Sequence, residues 1–281
     1  MSVQSRRVRG LLPRSSLLVA AALLGFGTSS APQALAANLY WDANGTVAGT
    51  GGAGTWDTTS AFWSSAAEGT DATAIGNFTS ADIAIFTGIA GTATLAEPIT
   101  IGGLVFTGTD FTVTGNTLTL DVSSGAPSIS VSNGNIATLS SILAGSDGLT
   151  KLGNGTLKLT NEGNTYTGTT TISRGTLVIT SGAALGADAS PISILTANEV
   201  PQSTNLQGIS GGGLVLDGAA AGFTLSRDIN FEGRGPVGER SAAILSIGDN
   251  TLSGTLTSAV SPLSPVTFRN SRINSINGTL T

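Results

Sequence analysis

A chain of 281 residues with 40% hydrophobic residues is long enough to bury a sizeable core, but 39 glycines and only 10% charged residues exclude an ordinary helical or α/β enzyme. Four of the twelve Lys and Arg, and none of the seventeen Asp and Glu, fall in residues 1–36, so the remainder carries 8 minus 17, a formal charge of −9, which excludes nucleic acid and anionic lipid as partners. Cys and His are both absent, which removes disulfides, thiolate metal sites and imidazole bases.

Residues 1–36 read as a secretory signal. Arg6, Arg7, Arg9 and Arg14 precede an apolar run from Leu17 to Phe26, and Ala34-Leu35-Ala36 forms a small-x-small cleavage pattern, with Ala34 and Ala36 as its small positions. The run is short for a membrane span. The Arg6-Arg7 pair resembles a twin-arginine signal, but Arg9 stands where that signal prefers an apolar residue, so general secretion is the expected route.

Residues 37–80 hold all three tryptophans, in Tyr40-Trp41-Asp42, Gly54-Thr55-Trp56-Asp57 and Phe62-Trp63, and are predicted to form an aromatic cap on residues 81–281. A stack of strands exposes an apolar cross-section at its end, and aromatic side chains there block fraying. Within the cap, Gly49-Thr50-Gly51-Gly52-Ala53-Gly54 matches G-x-G-x-x-G, but no helix-forming segment follows to receive a pyrophosphate, so a flexible turn is expected. Asp42-Ala43-Asn44-Gly45-Thr46 begins like a calcium loop yet lacks the remaining oxygen ligands, so it reads as an Asx turn. The tryptophans have one other use: exposed in a row, they would stack on sugar rings.

From residue 81 onward, apolar side chains alternate in short runs bounded by Gly, Ser, Thr and Asn. Ile83/Ile85, Ile99/Ile101, Phe111/Val113, Leu118/Leu120, Ile129/Val131, Leu157/Leu159, Leu177/Ile179, Leu214/Leu216, Phe223/Leu225, Ile229/Phe231 and Leu245/Ile247 are the predicted inward pairs. A unit of Gly or Asn followed by Thr-Leu recurs at Asn116, Gly155, Gly175, Asn250 and Gly278, and most of its gaps approximate whole turns of nineteen to twenty residues on one ladder. That recurrence predicts an all-β, right-handed parallel β-helix of roughly ten to twelve rungs. An antiparallel sandwich shares the alternation but needs no such period.

The segment Gly148 to Ile179 carries the most information. Lys151, Gly153, Gly155, Leu157, Leu159, Asn164, Tyr166, Gly168, Thr170, Ile172, Gly175 and Leu177 approximate the pattern G-x-L-x-K-x-G-x-G-x-L-x-L-x-x-x-N-x-Y-x-G-x-T-x-I-x-x-G-x-L. The segment thereby resembles the passenger-associated repeat of bacterial autotransporters and related surface proteins. The resemblance implies an exported, outer-membrane-associated or extracellular protein, a stalk or adhesive surface whose repeat supports export, and no enzyme. It implies as partners surface glycans or other cell-surface components, and the outer-membrane export machinery or a C-terminal barrel. The sequence stops at Thr281 within a further strand unit, which points to a fragment, a truncated frame or a soluble relative.

Catalytic patterns fail on context. Gly208-Ile209-Ser210-Gly211-Gly212 matches G-x-S-x-G without any histidine to act as base, so it reads as a turn. Asp217, Asp228, Glu232 and Glu239, with Arg227 and Arg234 nearby, form the nearest carboxylate cluster. They define the alternative reading, a carbohydrate-binding or polysaccharide-cleaving β-helix, although turn carboxylates explain them more simply. Gly233 to Arg240 is expected to project as a charged loop. No metal or organic cofactor is implied.

Overall fold

The computed structural model describes residues 37–45, 47–71, 78–79, 82–195, 211–219, 221–231 and 243–258, and the backbone of 273–276. The signal segment with Ala34 and Ala36, and residues 232–242 with Glu232, Arg234 and Glu239, lie outside the described residues.

Strands of two to six residues stack into two long ladders, one of ten strands and one of nine, with a three-stranded ladder between Ile99 and Ala144 on a third side. Every ladder pairing is parallel except that of Asn38–Trp41 with Trp63–Ser64. Parallel pairing of consecutive rungs is a β-solenoid, and it rules out the sandwich. The described residues make nine stacked parallel rungs, several of them longer than twenty residues. Along one column, Ala84, Leu104, Ile129, Lys151, Ile172, Ile194 and Phe231 stand over one another at intervals of 20, 25, 22, 21, 22 and 37 residues.

The interior is built from such columns. On the nine-stranded ladder, Phe111, Ala137, Leu157, Leu177, Leu214 and Ile244 stack in register, as do Val113, Leu139, Leu159, Ile179 and Leu216 beside them. All are buried. Each rung supplies too little apolar surface for its own core, so burial is shared between neighbours at about 25 cal/mol per Å².

Three expectations are corrected. In Ile83–Phe86 both faces are apolar and in Ile244–Ile247 each face carries an apolar side chain, and the opposite phase points inward: Ala84 and Phe86, then Ile244 and Ser246. Ala84 fits between Leu39 and Leu104, while the Ser246 hydroxyl accepts from Asn250 Nδ2 at 2.9 Å, so packing and a buried hydrogen bond choose the face. The Thr-Leu units do not share one ladder. Gly155 and Gly175 begin rungs of the nine-stranded sheet, Leu118 pairs with Leu143 on the third side, and Thr251–Leu252 pairs with Thr224–Leu225 in a two-stranded sheet. Nor is Gly49 to Gly54 a flexible turn. Gly51 bridges Asp42 and Ile89, and a Cβ on it would come 2.3 Å from the Ile89 carbonyl oxygen, so this glycine permits a backbone contact that no other residue allows.

Trp41, Trp56 and Trp63 are fully buried, their rings 5.0 to 6.4 Å apart and in contact with Phe86. Phe86 stacks in turn on Phe106 at 4.9 Å. The short strand Trp63–Ser64 lies antiparallel along Asn38–Trp41 and occupies that edge of the ten-stranded sheet. Asp42 Oδ1 accepts from the Asn44 N–H at 3.3 Å, as an Asx turn requires.

Candidate functional site

Lys151 stands in a core column between Ile129 and Ile172 and is fully buried. Its ammonium reaches past the strand end into the stacked turns, where it donates to the carbonyls of Leu152 at 2.7 Å, Gly153 at 2.8 Å and Arg174 at 3.2 Å. Three donors meet three acceptors, and the last belongs to the next rung. Burial pushes the Lys151 pKa down to about 7, and the carbonyl cage opposes that loss of charge.

Asn164 works where the third ladder runs out. Leu118 donates its N–H to the Ile142 carbonyl there, whereas Leu143 donates to Asn164 Oδ1 at 2.7 Å. Asn164 Nδ2 then donates to the Ala184 carbonyl at 2.7 Å. One side-chain amide thus replaces a strand's hydrogen bonds to the rungs above and below.

Thr170 occupies a core column between Leu149 and Ile192, and its hydroxyl pairs with the Tyr166 hydroxyl at 2.9 Å. Tyr166 is 1% exposed, and burial raises its pKa to about 12. Leu157, Leu159 and Leu177 fill the nine-stranded side of the core, and Ile172 the ten-stranded side. Gly155 donates to the Val131 carbonyl at 2.9 Å. Gly175 has φ +67°, and a Cβ there would stand 2.4 Å from the carbonyl oxygens of both Gly153 and Gly155. Gly168 donates its N–H to Asp188 Oδ2 at 2.8 Å. The twelve residues of the motif are therefore one packed unit.

Two partners of this unit carry no local signal in the sequence. Desolvation pulls the Asp188 pKa up, but hydrogen bonds from Gly168 and Ser190 and the Arg227 charge outweigh it and hold the carboxyl at about 2. Arg227, buried, donates to Asp188 Oδ1 at 3.3 Å, the Ser190 carbonyl at 2.9 Å and the Gly186 carbonyl at 3.0 Å. Arg227 and Asp188 are 39 residues apart, so only the stacking of rungs joins them.

Of the candidate carboxylates, the two among the described residues have separate partners. Asp217, at the end of Gly212–Asp217, pairs with Lys158 at 3.3 Å. Asp228 Oδ1 accepts the Thr255 N–H at 2.7 Å beside the other long sheet. Ser210 and Gly208 lie outside the described residues.

Stacked parallel rungs around an aliphatic column, stapled by a buried Lys, Asn and Tyr, define a parallel β-solenoid. Residues 149–179 match the Passenger-associated-transport-repeat family. The chain is 41% identical over 226 residues to an "Adhesin BmaC autotransporter" of Brucella suis biovar 1 (strain 1330), a match covering 79% of this chain and 6% of that relative. No solved structure matches. Both findings support the reading of the chain as an autotransporter passenger repeat protein.

Proposed function

We propose that the chain is a non-enzymatic segment of an exported surface passenger, in which the solenoid is a rigid stalk or adhesive surface and the repeat assists export by templating successive rungs. The observation that carries this reading is the fate of the repeat's polar groups. Lys151, Asn164, Tyr166 and Thr170 bond to backbone or to each other inside the stack, which leaves them no free group for chemistry. A rung that docks its amide and ammonium on its neighbours offers the next rung a finished edge, so folding propagates along the axis. The similarity to an autotransporter adhesin supports the same assignment. On this reading residues 1–36 direct secretion, residues 37–80 cap the stack, and the partners are cell-surface components and the export machinery or a barrel.

The carbohydrate-binding or carbohydrate-cleaving alternative loses its aromatic platform, because all three tryptophans are fully buried. The test is surface display. With its leader intact and an outer-membrane barrel appended, the chain should become accessible to external protease as a resistant core. Asn164→Ala should lower the amount displayed. Turnover in a polysaccharide lyase or hydrolase screen, abolished by Asp228→Asn, would overturn the proposal.

A further inference from the structure

We propose that Asn133-Gly134 is a site of spontaneous deamidation in the folded protein, a modification site independent of the passenger assignment. The reaction needs a glycine amide nitrogen free to attack the preceding side-chain carbonyl. Among the described residues the Asn-Gly pairs are 44–45, 133–134 and 154–155, while 277–278 lies outside them.

Asn133 and Asn154 are both exposed, but their glycines differ. Gly155 is buried, its N–H donates to the Val131 carbonyl at 2.9 Å, and a Cβ on it would stand 2.2 Å from the Ser132 carbonyl oxygen. Gly134 is exposed, has nothing within 4 Å of its Cβ position, and its N–H meets no backbone acceptor among the described residues. Asn44 is held in the Asx turn with Asp42, and its Oδ1 is buried. The fold thus shields one pair, anchors a second and leaves Asn133-Gly134 open.

The Gly134 nitrogen forms a bond to Asn133 Cγ, the Cγ–Nδ2 bond breaks, and the amide proton of Gly134 leaves with the amino group as ammonia. Water then opens the cyclic imide. Cleavage of the bond to Cγ gives aspartate, and cleavage of the bond to the main-chain carbonyl carbon gives isoaspartate, whose chain runs through the β-carbon. Either product adds a negative charge. Isoaspartate also lengthens the turn closed by the Asn135 N–H on the Ser132 carbonyl at 3.2 Å, against which the Gly153 to Gly155 turn of the repeat is stacked.

The test is incubation of the full chain at mildly alkaline pH, with peptide mapping and isoaspartyl methyltransferase labelling over time, in buffer and in urea. In the folded protein, Asn133 should convert at least about tenfold faster than Asn154, whose glycine must first break its hydrogen bond and open locally. In urea the two rates should converge. Equal rates in buffer, a faster Asn154, or a difference that persists in urea would overturn the proposal. Gly134→Ala should slow conversion at 133 and leave 154 unchanged, and a variant without that slowing would count against it equally.

Discussion

A lysine in an aliphatic column is costly unless its charge is met, and Lys151 is met by three carbonyls. Truncation to Ala removes the cation from the cage and leaves a cavity in the column, so Lys151→Ala should cost about 3 kcal/mol or more in a urea unfolding experiment. The same residue sets a pH dependence. Unfolded, it keeps its proton up to an ordinary 10.5, and folded it releases it near 7. Between those values the unfolded chain binds more protons, so stability rises as pH climbs from about 7 to 10.5, by up to about 1.4 kcal/mol per unit, and is lower below 7. Lys151→Met should flatten this slope, and urea midpoints at pH 6, 8 and 10 check it. Asn164 is a sharper case because each end of its amide serves a different rung. Asn164→Ala orphans the Leu143 N–H and should cost about 2 to 3 kcal/mol, whereas Asn164→Asp keeps that acceptor but sets a buried carboxylate against the Ala184 carbonyl, to which it can donate only when protonated. The aspartate variant should therefore gain stability relative to Asn164→Ala as the pH is lowered through its carboxyl titration.

At the scale of strands and turns, the repeat was legible because its signals are local. Leu157, Leu159, Leu177 and Ile179 alternate inward as their period demands, and Gly175 marks a turn where two carbonyls leave no room for a Cβ. Gly175→Ala meets both that contact and a left-handed φ, so a loss of about 1 to 3 kcal/mol is expected, read as a lowered melting temperature by circular dichroism. Legibility failed where both faces of a strand are apolar. Ile-Ala-Ile-Phe at 83–86 offers two phases of equal hydrophobicity, and the deciding contacts are the small gap at Ala84 and the aromatic stack at Phe86, set by residues far away in the chain. The Thr-Leu unit misled for a related reason. It reports a strand after a turn but not which side of the solenoid that strand lies on, so the recurrence predicts for Asn116 and Asn250 a ladder to which they do not belong. The buried Arg227 and Asp188 were silent in sequence because nothing in either segment announces a partner 39 residues away.

Over the whole stack, each rung pairs only with the rung before and the rung after, so stability is a sum of local terms. The aromatic cluster tests this. Trp56 is fully buried against Trp41, Trp63 and Phe86, and its truncation to Ala should cost about 3 to 5 kcal/mol. In a globular core such a loss would lower protection everywhere, because unfolding is all or none. In a stack it should stay near its origin. Amides of Asn38–Trp41, Ile83–Phe86 and Gly91–Leu95 should exchange faster in Trp56→Ala, while those of Thr156–Leu159 and Gly175–Ile179, several rungs away, keep their wild-type rates. Native-state hydrogen exchange read by mass spectrometry separates the two outcomes, and a uniform loss of protection would show that the rungs unfold as one unit. Locality has a consequence for scale. This chain spans 6% of the length of the relative it matches, and a stack whose damage stays local can grow by adding rungs without each new one endangering those already formed.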